Sequence, residues 1–297
     1  TSPVGTTEQM AKWMAEVRPD LTFPQTHGQG ADIKVAHCPE RVLPGHVVRE
    51  LVENDRVIGG MTERCSKSAI ELYKIFVTAE CVVTNARTAE MAKLTENSCR
   101  DVQIAFANEL SIICDNLEIS VWELISLANR HPRINILSPG PGVGGHCIAV
   151  DPWFIISKSP HESKLIHCAR KVNDNKPIWV VDQVKIAISE FLEASPEKSV
   201  ADIVIACFGL AFKPNIDDLR ESPSMYIAQS IANFHKGRVL AVEPNITELS
   251  SSESFELVSY QAAESSADIA ILLVDHIEFQ NAGKPNIEIV IDTKGIW

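Results

Sequence analysis

The chain reads as an α/β protein: a remnant of a Rossmann-type domain, a helical middle domain, and a C-terminal Rossmann-like domain with a parallel sheet. Three observations predict this. Residues 201–207, 238–242, 269–274 and 287–291 are short apolar runs with helical stretches such as 223–235 between them, the pattern of strands covered on both faces. Residues 88–115 are rich in Ala, Glu, Leu and Ile and contain no Gly or Pro, as a long helix requires. Residues 1–60 alternate short helical and strand-like stretches, which is the tail of an α/β domain rather than a whole one. The expected segments are 1–85, 86–196 and 197–297.

Taken in order, Glu8 to Val17 has helical spacing, while Ile33–Ala36 and Arg56–Ile58 are short strand candidates. A helix is expected over 62–77 and a strand over Cys81–Thr84. Beyond the long helix, further helices are expected at 120–130, 152–158 and about 160–194, with a Pro/Gly-rich loop at 138–145. The last of these helices is long enough to serve as a connecting rod. The sole low-complexity tract is Ser250–Ser252.

The 297 residues are 45% hydrophobic and 22% charged, which is ordinary for a globular protein. A net charge of −12 disfavours nucleic acid and anionic membrane surfaces as partners. No apolar run reaches the roughly 18–20 residues that span a membrane. The first residues, Thr1-Ser2-Pro3-Val4-Gly5, show no secretory signal, and the missing initiator Met reads as a fragment or a processed product. The eight cysteines contain no C-x-x-C pair, so no metal site is expected, and free thiols fit a reducing cytoplasm.

Gly140-Pro-Gly-Val-Gly-Gly145 satisfies G-x-G-x-x-G, but a dinucleotide fingerprint also needs a preceding strand and a helix at its last glycines. Only Ile134–Leu137 precedes it, and the next helix start, Asp151-Pro152, comes late. The usual phosphate loop is therefore expected to be absent. The same glycines lead into His146-Cys147. Glycine tolerates positive φ and lets backbone amides approach a ligand, so free N–H groups there are expected to hold an oxyanion beside a reachable thiolate. Against this stands the ordinary fate of a cysteine as a packing residue, and Asp151-Pro152 also fits an N-cap with its first-turn proline.

Lys93 and Asn97 are four apart and share a helix face, with Asp101 and Asn108 near the same stripe. A plain solvated face is the competing explanation. In Lys213-Pro-Asn-Ile-Asp-Asp-Leu-Arg220-Glu-Ser222-Pro223, Ser222 as N-cap and Pro223 in the first turn make an anion site, to which Lys213 and Arg220 add positive charge.

Gly142-Val-Gly144-Gly145-His146-Cys147, with Asp151 four residues on, resembles the active-site loop of the UDP-glucose/GDP-mannose dehydrogenase family. Motifs of that kind recur from Thr1 to Lys294. The wording through Asp151-Pro-Trp153 is most like the UDP-N-acetyl-D-mannosamine branch, and Val150, where many members have Lys, points away from the UDP-glucose branch. The resemblance implies four-electron, NAD-dependent oxidation of a UDP-sugar with Cys147 as nucleophile. It gives Lys93 and Asn97 the reacting oxygen, Asp151 proton handling, and Glu40, in Cys38-Pro-Glu-Arg41, the hydrolytic water. Arg133, Gly144, Gly145, His146, Lys213 and Arg220 fall on the substrate side, and Thr1 and Lys294 on the cofactor side. It also implies a homodimer through the central helices.

Because the N-terminal part of the NAD-binding domain reads as largely missing, the chain alone is expected to bind a UDP-sugar with little turnover. Two other readings stay open. One is a two-electron dehydrogenase of the 6-phosphogluconate or β-hydroxyacid kind. The other is a non-catalytic nucleotide-sugar-binding, dimerising module.

Overall fold

A computed structural model describes residues 1–42, 47–248 and 253–297. The Ser250–Ser252 tract lies outside the described residues. The chain divides into two compact units, residues 1–99 with 150–167 and residues 100–149 with 168–297.

The first unit begins with α1 (Thr6–Val17) and the short α2 (Pro24–His27). There follow β1 (Ala36–His37), α3 (Val47–Glu53), β2 (Arg56–Gly60), α4 (Glu63–Tyr73) and β3 (Cys81–Asn85). The long α5 (Ala86–Asn116) starts in this unit, and α7 (Asp151–Lys158) also belongs to it. The sheet order is β1-β2-β3, with β2 and β3 parallel and β1 antiparallel to β2. The strand expected at Ile33–Ala36 is only Ala36–His37, because the Ile33 N–H is taken by Thr22 O. Helix α4 starts at Thr62, whose hydroxyl accepts from Cys65 N–H, and it ends at Tyr73 rather than at 77.

Glu90 of α5 fixes the start of α1. Its carboxylate accepts from Gly5 N at 2.6 Å, Thr7 N at 2.7 Å and Thr7 Oγ1 at 2.6 Å. An acid at a helix N-terminus satisfies otherwise unpaired amides and meets the positive end of the dipole. Gly5, at φ 94°, supplies the left-handed turn that brings those amides round.

The second unit holds the rest of α5, then α6 (Val121–Ala128) and most of α8 (Lys164–Ala194). A five-stranded sheet follows, with β4 (Ile205–Phe208), α9 (Pro223–Phe234), β5 (Val239–Val242) and β6 (Glu256–Leu257). It is completed by α10 (Tyr260–Ser266), β7 (Ile269–Leu272), α11 (Ile277–Ala282) and β8 (Ile289–Asp292). The order is β6-β5-β4-β7-β8, all parallel, which is the doubly wound arrangement the apolar runs predicted.

Burial follows the strand period of two. Ile205 and Cys207 face a core with Val180, Val184 and Phe191 of α8 and Ile227 and Ile231 of α9. Ala206 and Phe208 face the other layer, with Leu240, Phe279 and Trp297. There Phe208 meets the Trp297 ring edge-on at 5.0 Å. The strand expected from Ala201 begins only at Ile205. Ser199 and Asp202 form a capping box that winds Val200–Asp202 into a 3₁₀ turn instead.

Lys176 of α8 is 2% exposed; its Nζ donates to Ser111 Oγ at 2.7 Å and sits 3.5 Å from the Trp179 ring centroid. Burial pulls its pKa down to about 7, against the opposing charge of Asp115. In the unfolded chain the ordinary value near 10.5 returns. Between those values the unfolded state holds a proton that the folded state lacks, so stability rises with pH across the window. Lys176→Met should therefore raise the denaturation midpoint more at pH 7 than at pH 9.5. The slope removed is at most about 1.4 kcal/mol per pH unit, and equal shifts at both pH values would contradict the assignment.

Candidate active site

The loop between α6 and α7 carries Cys147. Gly140 N–H donates to Asn108 Oδ1 at 2.9 Å, and Asn108 Nδ2 donates to Asn173 Oδ1 at 2.9 Å. Gly142 and Gly145 take positive φ, 149° and 83°. A Cβ on Gly144 would lie 2.4 Å from Glu221 O and 2.6 Å from Pro223 Cδ. These glycines are thus required by close packing on the segment that enters α9. Gly145 N–H donates to Glu221 O at 3.4 Å, which corrects the expectation of wholly free loop amides. Past Gly145 the chain turns outward, leaving His146 and Cys147 exposed.

Asp101, Asn108, Arg170 and Asn173 hold this loop from beneath. Arg170 Nη1 donates to Asp101 Oδ1 at 2.5 Å, and Arg170 also pairs with Asp174. Asn173 Nδ2 reaches Asp101 Oδ1 at 2.8 Å. Asp101, Asn108, Arg170 and Asn173 are all buried, so the Asp101–Asn108 part of the stripe is not a solvated face. Burial raises the Asp101 carboxyl, while Arg170 and Asn173 oppose that. Arg170 and Asn173 escaped notice because nothing local marks a buried Arg in a helix whose neighbours, such as Lys171, are exposed.

In the other unit, Asn97 Nδ2 donates to Asp151 Oδ2 at 2.5 Å. Asp151 is not the N-cap. Val150 occupies that place without a side-chain bond, and Asp151 is the first residue of α7, 1% exposed and turned toward Asn97. Lys93 lies one turn before Asn97, half-buried, with no hydrogen bond or ion pair among the described residues. Glu40 is engaged on both oxygens by the buried Arg56 at 2.9 Å and takes the Arg41 N–H at 2.8 Å. A cavity of about 1230 Å³ is lined by Gly5, Thr6, Lys12, Arg87, Thr95 and Lys158 among others. It contains none of the residues singled out from the sequence.

At the start of α9, Ser222 Oγ accepts from Met225 N–H at 3.3 Å and donates to Leu210 O at 2.6 Å, with Pro223 in the first turn. The expected cap is present. Arg220, however, grips Asp218 with two bonds of 2.9 and 2.8 Å. That hydrogen bonding holds the Asp218 carboxyl down at about 2. The Arg220 charge is therefore already matched, and Lys213, half-buried and without a partner among the described residues, is the cation left at the segment. Lys294 Nζ lies 3.1 Å from Asp275 Oδ1. Arg133 and Thr1 are exposed.

A doubly wound sheet with a capped helix start beside the carboxyl ends of its strands is an arrangement in which many nucleotide-binding proteins hold their ligands. Comparison with known families makes this specific. Residues 1–77, 87–175 and 206–297 match the NAD binding, central and UDP binding domains of the UDP-glucose/GDP-mannose dehydrogenase family. The chain belongs to that family. It is 61% identical to UDP-N-acetyl-D-mannosamine dehydrogenase of Escherichia coli K12, over 100% of this chain and 71% of the relative. With NDP-N-acetyl-D-galactosaminuronic acid dehydrogenase of Ralstonia nicotianae it shares 59% identity, over 100% of this chain and 69% of that protein. The structure of UDP-D-ManNAc dehydrogenase from Pyrococcus horikoshii superposes with a TM-score of 0.84 at 36% identity, covering 99% of this chain and 67% of that one.

The match at 1–77 assigns the N-terminal segment to the NAD binding domain. The amides of Gly5 and Thr7 at the start of α1 are committed to Glu90 and do not fit a dinucleotide pyrophosphate. The cavity beside them fits part of a dinucleotide by size, with Lys12 and Lys158 as its cations, while Glu8 and Glu96 also line it and Arg87 is paired with Glu8 at 2.7 Å.

Proposed function

We propose that the chain carries the chemistry that oxidises the C6 alcohol of a UDP-sugar to the uronate with NAD, with little turnover by the chain alone, and that the sugar is N-acetyl-D-mannosamine. The observation that carries this is the exposed Cys147 at the end of a glycine loop pinned to the UDP-binding segment of the same unit. NAD, when bound, accepts the hydride in each of two oxidations, and the residues lining the cavity beside α1 would hold it.

The alcohol loses its proton and a hydride to give the aldehyde. The Cys147 thiolate adds to that carbonyl, keeping the aldehyde tethered as a tetrahedral adduct. Loss of a second hydride leaves a thioester on Cys147. Water attacks the thioester carbonyl, the C–S bond breaks, and the uronate leaves as the thiolate is regenerated. Lys93, with an uncommitted ammonium, is assigned the charge on the reacting oxygen, and Asn97 its orientation. Asp151, held by Asn97, is assigned proton transfer, and Glu40, fixed by Arg56, the placing of the hydrolytic water. Lys213 is assigned the diphosphate, with Arg133, Gly144, Gly145, His146 and Arg220 on the sugar-nucleotide side. Thr1 and Lys294 are assigned to the cofactor side.

The segments 1–85, 86–196 and 197–297 would then serve the cofactor, the chemistry with dimer formation, and the UDP moiety. We place the protein in the cytoplasm as a homodimer. Among the described residues no helix is long and apolar enough to cross a membrane.

Stoichiometry is the test. Two NADH should form for every UDP-sugar consumed, with the uronate as product. One NADH per sugar would instead support a two-electron alcohol dehydrogenase.

A further inference from the structure

We propose that Glu243 and His276 are positioning residues that lock the segment carrying Lys213 into the shape that binds a nucleoside diphosphate. The inference rests on the assignment of Lys213 to the diphosphate. Neither residue stands out in the sequence, and no step of the chemistry above uses them.

Glu243 directly follows β5, Leu210 and Ala211 follow β4, and His276 lies four residues past β7. All three strand ends are neighbours in the sheet order, and outside such carboxyl ends doubly wound proteins bind their ligands. In this chain the floor of that region is a fully buried polar cluster, with both side chains 0% exposed. Glu243 Oε2 accepts from Leu210 N at 2.8 Å, Ala211 N at 3.1 Å and His276 Nε2 at 3.1 Å. Its Oε1 accepts from Asn245 N at 3.1 Å. Burial alone would raise this carboxyl, but the bonds from His276, Leu210 and Asn245 outweigh it and hold it below its ordinary range.

The other imidazole nitrogen decides the arrangement. Nδ1 lies 3.0 Å from the Asn215 backbone N and 3.0 Å from Asn245 Nδ2. A backbone N–H can only donate, so Nδ1 must present its lone pair, and the ring proton sits on Nε2 facing Glu243. This is the one tautomer compatible with the cluster, the two donors sharing the single Nδ1 lone pair.

The consequence falls on Asn215, two residues beyond Lys213. Asn215 holds a left-handed φ of 62°, a conformation that asparagine tolerates better than other side chains and that its surroundings here hold in place. Its N–H goes to His276, its Oδ1 accepts from Ile277 N at 3.0 Å, and Phe212 N–H closes the loop on Asp218 O at 3.2 Å. The Phe212 ring in turn lies 2.9 Å from where a Cβ on Gly145 would stand. The cluster therefore sets the loop that presents Lys213 and supports the glycine turn before Cys147.

Glu243→Gln keeps the volume but turns an amide N–H toward a donor, either at Leu210 and Ala211 or at Asn245. His276→Gln removes the ring that bridges Glu243 to Asn215. Calorimetric titration with UDP, together with melting temperatures, tests both alongside Asn245→Ala and Lys213→Ala. The expected result is UDP affinity weakened about tenfold or more in the Glu243 and His276 variants while both remain folded. Asn245→Ala, which trims only the edge of the cluster, should weaken it in the same direction. The ring ¹⁵N shifts of His276 in the unaltered protein should report the Nε2–H tautomer.

UDP affinity within about twofold of the unaltered protein in both variants, while Lys213→Ala loses UDP, would overturn the lock and spare the diphosphate assignment. An Nδ1–H ring would also overturn it, whatever the variants do. If Lys213→Ala binds UDP normally, the diphosphate assignment itself is wrong.

Discussion

Cys147→Ser should abolish uronate formation, lowering it by at least about a thousandfold. A serine hydroxyl has the same reach, but it is a far weaker acid than a thiol and a poorer nucleophile toward a carbonyl. Without the thiohemiacetal, the aldehyde is neither tethered nor set up to lose its second hydride. Cys147 is exposed and its thiol makes no hydrogen bond among the described residues, so folding should not suffer. UDP binding, assigned to Lys213 and its segment, should stay within about twofold. The check is uronate released per enzyme, with UDP titrated in parallel. A serine variant retaining a tenth or more of the activity (about 1.4 kcal/mol in barrier) would remove Cys147 from the mechanism.

Arg170→Met should destabilise the second unit by about 3–5 kcal/mol. The Asp101 and Arg170 side chains are 0% and 2% exposed, so removing the guanidinium leaves a carboxylate in the interior without its counter-charge. Burial already raises the Asp101 carboxyl while Arg170 opposes it, so the variant should retain Asp101 as the neutral acid to higher pH. Asp101→Leu combined with Arg170→Met should recover much of the loss, since replacing both members of a buried pair removes the stranded charge. Urea unfolding of the two single variants and the double variant checks this. A loss below about 1 kcal/mol for Arg170→Met would mean that the pair is solvated. The same variant should loosen the Cys147 loop, because Asp101, Asn173, Asn108 and Gly140 form one hydrogen-bonded chain.

What could be read in the sequence was governed by local or short-period rules. The parallel sheet showed itself because strands buried on both faces must be continuously apolar, as Ile205–Phe208 and Ile269–Leu272 are. Helix α5 was legible to within two residues at its start and one at its end, because nothing in 86–116 breaks a helix. Ser222-Pro223 announced the start of α9, since an N-cap and its first turn are chemistry between neighbours.

The failures were also local in origin. Ala201 looked like strand because it is apolar, yet Ser199 and Asp202 close a turn there first. The cap that Asp151-Pro152 offered as a competing explanation is not formed, since the carboxylate is drawn to Asn97, 54 residues away.

By itself, then, the sequence determined the order of elements, the apolar faces that must be covered, and the place of an unusual cysteine after a run of glycines. Tertiary structure alone decided why those glycines are needed, which of the positive charges are already matched, and which polar groups are buried. Gly144 must be Gly because Glu221 O, 77 positions on, passes where a Cβ would stand. Asp101 with Arg170 and Glu243 with His276 are each 0–2% exposed pairs separated by 69 and 33 residues. No periodicity links residues at such separations, because it is chain closure that carries them out of water together and makes each depend on the other.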